Sequence, residues 1–297
     1  MSTATLSVRR RTIVTKNTAP YVFLAPVLIL FVAFKLYPYV YSFWLSLTRS
    51  VGGRQEFAGA ENYVRLLQDP LFFKALGNTA LVLLIQVPIM LALAVALAVG
   101  FNSTLLRWRG TLRLAFFLPI VMGLVAYGIL FSTLLNTQYG LVNWVLGGVG
   151  IEPVPWLGDP MWARVSIILA LTWHYTGYNA VIYLAQLQTV PRELYEAAST
   201  DGAGPWRRFV HITLPGLRPA ILLTVVLSTI GTLQLFDEPY VLTNGGPDNA
   251  TLTIGMYLYQ NGFRYFDFGY ASTIAYALAL LVALISFAQF RLLGRRS

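Results

Sequence analysis

Six long apolar runs alternate with shorter polar stretches along the chain, at about residues 21–46, 76–101, 114–136, 163–188, 217–240 and 269–290. As a helix rising about 1.5 Å per residue, each is long enough to cross the roughly 30 Å hydrocarbon core of a bilayer. Inside lipid the backbone must satisfy its own hydrogen bonds, so runs of this length predict helices. The pattern predicts an all-α polytopic membrane protein with six transmembrane helices. The first run is too long for the core of a signal peptide, and no small-residue cleavage site follows it, so it reads as an uncleaved helix. Lys35 interrupts that run before Tyr37-Pro38. It reads as a lysine snorkelling to the outer interface, with a role in transport as the rival reading.

The polar stretches divide by charge. Residues 1–19 form a polar arm with Arg9, Arg10, Arg11 and Lys16 and no acid, residues 20–290 hold the transmembrane domain, and 291–297 form a short tail. Residues 47–74 carry a short amphipathic helix near Asn62–Gln68, residues 137–162 are rich in Gly, Pro and Trp, and residues 243–267 contain Asn244-Gly-Gly-Pro247. The arm, the tail, the Arg107–Arg113 turn and the stretch from Arg192 to Arg218 hold fourteen basic residues, against six in the other polar segments. The positive-inside rule then places both termini in the cytoplasm.

Composition agrees with this reading. Of 297 residues, 57% are hydrophobic and 11% charged, with mean hydropathy +0.63; a soluble domain carries about 25% charged residues. The net charge of +9 sits at the ends of apolar runs, which argues for membrane orientation and against nucleic acid. There is no Cys, and the two histidines, His174 and His211, are far apart in sequence, so neither a thiolate site nor a metal site is expected. The only lysines, Lys16, Lys35 and Lys74, follow no phosphate-loop glycine pattern. No G-x-S-x-G or H-E-x-x-H occurs. An enzyme is not expected, and any ATP that drives transport must be hydrolysed on another chain.

The densest polar information lies in Glu196-Ala-Ala-Ser-Thr-Asp-Gly-Ala-Gly-Pro-Trp-Arg-Arg-Phe-Val-His-Ile-Thr-Leu-Pro215. Pro191 suits a helix start and Glu193 and Glu196 suit its early turns. Leu194, Ala197 and Ala198 make one small apolar face. Gly202 and Gly204 stop the helix, and Pro205 opens a second one. The stretch resembles the EAA loop of permease subunits in binding-protein-dependent ABC importers, through Glu196, Ala197, Ala198, Asp201, Gly202, Ala203, Phe209, Ile212, Leu214, Pro215, Leu217 and Pro219. Phe57–Tyr63, Asn78-Thr79, Phe117-Leu-Pro119, Leu242–Pro247 and Phe266–Ala271 are similar to the sugar-importing branch of that family. The resemblance implies a type I ABC importer permease fold in a bacterial plasma membrane, with residues 190–219 as the coupling loop. It also implies a second homologous permease, two ATPase subunits holding ATP and Mg, an extracytoplasmic binding protein and a sugar substrate. No cofactor is implied on this chain.

The fourth run carries Thr172-Trp-His-Tyr-Thr-Gly-Tyr-Asn179. Trp173, His174, Tyr175, Tyr178 and Asn179 pair flat faces with hydrogen-bonding groups, as a sugar or polyol requires. Packing against other helices or membership of an interfacial belt is the competing reading. By spacing from the EAA glutamate, Trp173 matches a sugar-contacting tryptophan of maltose-type permeases. Gln234 in the fifth run and Tyr127 in the third are further candidates to complete the pocket. Asp237 and Glu238 read as solvated at a helix end, with substrate hydroxyls as the alternative. A proton-coupled secondary transporter using those carboxylates, or a glycerol-phosphate-type substrate in the same ABC family, remains open. The latter lacks a basic cluster in the proposed pocket.

Overall fold

The computed structural model describes residues 19–51, 54–103 and 106–294. The proposed arm, with Arg9, Arg10, Arg11 and Lys16, and the tail residues Arg295 and Arg296 lie outside them. The described chain is mostly helical. Helix α1 runs Ala19–Ser46 and is the most peripheral, with nothing buried before Ser46. It widens by one turn at Val32–Leu36, where the Tyr37 amide reaches Val32 O. Pro38, next in sequence, has no N–H, and its ring crowds the preceding turn.

A hairpin follows that the residue pattern did not announce: β1 (Thr48–Val51) pairs antiparallel with β2 (Arg54–Phe57), Thr48 opposite Phe57. Helix α2 (Glu61–Gln68) is the expected amphipathic helix, and its Asn62 amide donates to the carbonyls of Ser46 (3.0 Å) and Thr48 (2.7 Å).

Two long helices form the centre and begin alike. Asp69 caps α3 (Pro70–Asn102), accepting from the Leu71 and Phe72 amides. Asp159 caps α7 (Pro160–Leu187), accepting from the Met161 and Trp162 amides. In both, proline stands at the first helical position, where a missing N–H costs nothing. The two pack along their length with α9 (Pro205–Leu233), and Ala94, Ala98, Ala180 and Ala220 lie in that core. Small residues let apolar helices approach closely.

The third apolar run is broken. Helix α4 (Arg109–Val121) and helix α5 (Leu124–Leu134) meet at 103°. Pro119 tightens the end of the first, and Met122 and Gly123 are both extended (ψ 132° and 144°). Short α6 (Leu141–Gly148) follows α5. The fifth run also differs. Helix α9 starts at Pro205, twelve residues before the apolar run, and ends at Leu233, so the second arm of the elbow and the membrane helix are one piece. Short α8 (Arg192–Thr200) precedes it. Beyond it, α10 (Asp237–Thr243) and α11 (Ile254–Tyr259) flank a loop held by Lys74, Asn78 and Arg164 through the carbonyls of Asp248, Asn249, Leu252 and Ala250. Helix α12 (Phe268–Gly294) closes the chain.

Among the described residues, α1, α3, α9 and α12 are long and apolar enough to cross a membrane, and the bent pair makes a fifth if it counts as one span. Helix α7 has 28 residues but fails on composition, because Thr172–Asn179 dilutes its apolar character. The chain is thus a multi-pass helical protein, with the count of six crossings not reached by length and composition.

Candidate functional site

A cavity of about 170 Å³ opens between α3, α7 and α9. Tyr175, Tyr178 and Asn179 face it from α7, because spacing i, i+3, i+4 puts them on one side of a helix. Gln86 and Met90 face it from α3, and Ser228, Gly231 and Thr232 from α9. The Asn179 amide donates to Tyr175 O at 3.0 Å, and the Gln86 amide approaches Met90 Sδ at 3.3 Å. No Lys, Arg or carboxylate lines the cavity. Sequence reasoning missed the α9 wall. Its signal was available: Ser228, Gly231 and Thr232 repeat the same i, i+3, i+4 spacing within an apolar run.

The other candidates do not line that cavity. Trp173, 41% exposed, stacks on Tyr127 (centroids 6.2 Å, 15° between planes) and meets Phe131 edge-on at 5.4 Å. His174 meets Tyr127 at 4.8 Å. These rings form an adjoining cluster between α5 and α7. Gln234 is exposed just past the end of α9 and belongs to neither group. Asp237 is exposed, as expected at a helix end, but Glu238 is buried. The reason is the early end of α9: α10 turns back and packs against α5 and α7, carrying Glu238 inward.

The elbow is exposed at its tip and anchored at its root. Glu196, Ala197, Asp201 and Gly202 are exposed, and Ala198 and Ala203 half-buried. Gly202 has φ +74°, the Ala203 amide donates to Ala198 O and the Gly202 amide to Ser199 O. This is the Schellman geometry, which glycine enters without a Cβ penalty. The Tyr195 and Thr213 hydroxyls meet at 3.0 Å, and Arg208 donates to Ser199 Oγ at 2.7 Å, tying α8 to α9. Glu196 and Asp201 make no ion pair with Arg207 or Arg208; Arg208 is taken by Ser199, and both acids are exposed. A groove of about 650 Å³ runs between the elbow and the ends of α3 and α7. His211 is exposed, with Nδ1 2.9 Å from Arg207 O.

At the opposite end, Asp69 gathers α3, α11 and α12. Burial works to raise its carboxyl, but hydrogen bonds from the Tyr257 and Tyr270 hydroxyls and the Phe72 and Leu71 amides outweigh it and hold it below the usual value. Burial, then the bond to Asp69, pushes the Tyr257 hydroxyl up to about 12.

An exposed two-helix elbow continuous with the wall of a cavity between apolar helices matches known proteins along nearly the whole chain. Residues 7–296 match the family described as binding-protein-dependent transport system inner membrane component. The chain belongs to that family. The permease is 48% identical to the lactose transport system permease protein LacF of Rhizobium radiobacter, over 91% of this chain and 92% of LacF. It is 40% identical to the sulfoquinovosyl glycerol transport system permease protein SmoG of Agrobacterium fabrum, over 88% and 87%. It also superimposes on a chain of the crystal structure of a bacterial ABC transporter involved in the import of the acidic polysaccharide alginate. There the TM-score is 0.83 at 25% identity, covering 93% of the permease and 95% of that chain. The permease therefore has the type I importer fold.

Proposed function

We propose that this permease is the membrane path of an ATP-driven importer for a sugar or oligosaccharide, a neutral one given the uncharged cavity lining. One observation carries the reading: helix Pro205–Leu233 is both the second arm of the elbow and the wall that presents Ser228, Gly231 and Thr232 to the cavity. Its 29 residues run without a break for about 43 Å, with a π turn at Phe209–Thr213 near the elbow, so movement imposed at the elbow is delivered at the cavity. Trp173, His174, Tyr175, Tyr178, Asn179 and Tyr127 form the aromatic and amide surface along that path, and Gln234 stands at its outer edge. Glu196, Ala197, Ala198, Asp201, Gly202 and Ala203 seat in an ATPase subunit. The cavity is small for an oligosaccharide and open to one side, which fits a second homologous permease supplying the opposite wall. Two ATPase subunits carry ATP and Mg, and an extracytoplasmic binding protein delivers the sugar. The chain spans the bacterial plasma membrane six times, α7 crossing with its polar groups turned inward and both termini in the cytoplasm.

The relatives' cargoes, lactose, sulfoquinovosyl glycerol and alginate, are all carbohydrates, which supports the class. A glycerol-phosphate substrate fits less well, since no cation lines the cavity. The burial of Glu238 gives the proton-coupled rival one point, but that rival leaves the elbow without a purpose. Reconstitution with the co-purifying subunits separates them. Uptake of lactose, maltose or an arabinooligosaccharide is expected only with ATP, ATPase subunits and loaded binding protein. Uptake that persists without the ATPase and collapses with a protonophore refutes the proposal.

A further inference from the structure

A second polar layer lies beside the cavity. Glu238 is 4% exposed and interacts with the Tyr175 hydroxyl, and Tyr127 lies within its electrostatic reach. Tyr127 is 1% and His174 9% exposed, and neither the Tyr127 hydroxyl nor His174 Nδ1 has a hydrogen-bond partner. The His174 ring is 4.8 Å from that of Tyr127 and 4.7 Å from that of Tyr175. Helices α5, α7 and α10 thus bring four polar groups together, and Tyr175 connects them to the cavity it also lines.

Packing does not account for this layer. A buried polar group without a partner is costly, and a buried carboxylate without a cation more so. The ion pairs Arg49–Glu61 and Arg65–Asp267 are elsewhere. Arg164, on the same helix as His174, is engaged with Ala250 O and Asn78 Oδ1. Apart from its own backbone N–H and the Tyr175 hydroxyl, Glu238 therefore has no ion pair among the described residues to help it carry a charge. A polyhydroxylated solute would: its hydroxyls donate to the carboxylate, and the Tyr127 hydroxyl and His174 Nδ1 gain the partners they lack.

We propose that Glu238, positioned with Tyr127, His174 and Tyr175, is the specificity determinant of the path, binding neutral hydroxyl-rich solutes and turning away carboxylated ones. The proposal rests on the sugar-import reading and deepens it. A second carboxylate brought beside Glu238 in a poorly screened site is strongly disfavoured, whereas a hydroxyl is welcome.

The absence of cysteine makes a direct test available. Ser228→Cys places the chain's single thiol in the cavity. Its rates of modification by a cationic and an anionic methanethiosulfonate of equal size are then compared in the reconstituted importer. The cation is expected to react faster, and Glu238→Gln to lower the cation-to-anion ratio on the order of five-fold. Asp237→Asn should change the ratio little, because salt screens an exposed charge. Glu238→Asp should keep it. In parallel, Glu238→Gln is expected to lower lactose turnover at saturating loaded binding protein without altering the concentration of binding protein that half-saturates it. An unchanged ratio in Glu238→Gln overturns the proposal. Should that variant fail to assemble, equal rates for the two reagents in Ser228→Cys alone overturn it too. A preserved ratio shift in an importer that takes up no sugar refutes the sugar reading and leaves the charge filter standing.

Discussion

Alanine at position 177 tests how the cavity wall is held. A Cβ on Gly177 would sit 1.7 Å from the carbonyl oxygen of Phe116, 2.4 Å from its carbon and 3.1 Å from the Phe117 nitrogen. Favourable contact between heavy atoms begins near 3.5 Å, so α7 and α4 must part by about 1.5 Å or more. Overpacking costs about 1–3 kcal/mol, and the upper end applies where the obstacle is backbone that cannot rotate away. Replacing a helical glycine by alanine returns about 1 kcal/mol. The net loss is therefore about 2 kcal/mol, which lowers the heat-denaturation midpoint by about 4–8 °C for a chain of this size. Gly77 in α3 supplies the control, since a Cβ there meets nothing within 4 Å; Gly77→Ala is expected to leave the midpoint unchanged or raise it by up to about 4 °C. The assay is loss of the monodisperse assembly on heating, followed by size-exclusion chromatography. Displacement of Tyr175 and Asn179, on the same helix, should lower uptake as well. Equal midpoints for Gly177→Ala and wild type would refute the close α4–α7 approach on which the geometry of the cavity depends.

Gly231 faces the cavity and a Cβ there meets open space, so Gly231→Leu should assemble normally and block uptake; uptake at the wild-type rate would show that solute does not pass this wall. Trp173→Ala removes the stack on Tyr127, a contact worth about 0.5–1.5 kcal/mol, and should cut turnover several-fold with ATPase assembly intact; unchanged turnover would make Trp173 packing alone. The Asp69 carboxyl is held below its usual value, so its contribution to the end of the fold opposite the elbow is complete above the unfolded value of about 3.9 and disappears as pH falls through the folded value. Tyr257 is raised to about 12, so its contribution is complete below about 10 and is lost as pH rises through about 12. Asp69→Asn should flatten the acid limb of a stability–pH curve and Tyr257→Phe the alkaline limb; curves that superimpose on wild type would exclude the cluster as a source of stability.

How much of this was legible in the sequence depended on which physical rule governed each element. The elbow was, because proline, alanine and glycine act locally: Pro191, Gly202 and Pro205 each fix backbone geometry within a turn, and Gly202 does sit at positive φ. The α7 face was partly legible. Composition marked Thr172–Asn179 as unusual, but only tertiary packing decides which rings turn to the cavity and which to α5. The break in the third run was missed because Pro119 and Gly123 are weak signals within an apolar stretch. The burial of Glu238 was missed for a related reason: hydropathy carried the fifth run to residue 240, whereas the helix stops at Leu233 and a separate helix carries the carboxylate inward. The Asp69 cluster joins residues about 190–200 positions apart, beyond the reach of any local pattern.

The central claim, that the elbow drives the cavity wall through one continuous helix, is tested most directly by Gly202 in the reconstituted importer. At φ +74° with open space around it, Gly202 tolerates no ordinary side chain without strain of about 1–2 kcal/mol, whereas asparagine enters this conformation readily. Sugar uptake and ATP hydrolysis stimulated by loaded binding protein are measured together for wild type, Gly202→Asn, Gly202→Leu and Glu196→Lys. Asparagine is expected to preserve coupled transport. Leucine and the charge reversal should abolish it, with the chain still inserted and hydrolysis either lost or no longer stimulated. Normal coupled uptake in Gly202→Leu would contradict the account.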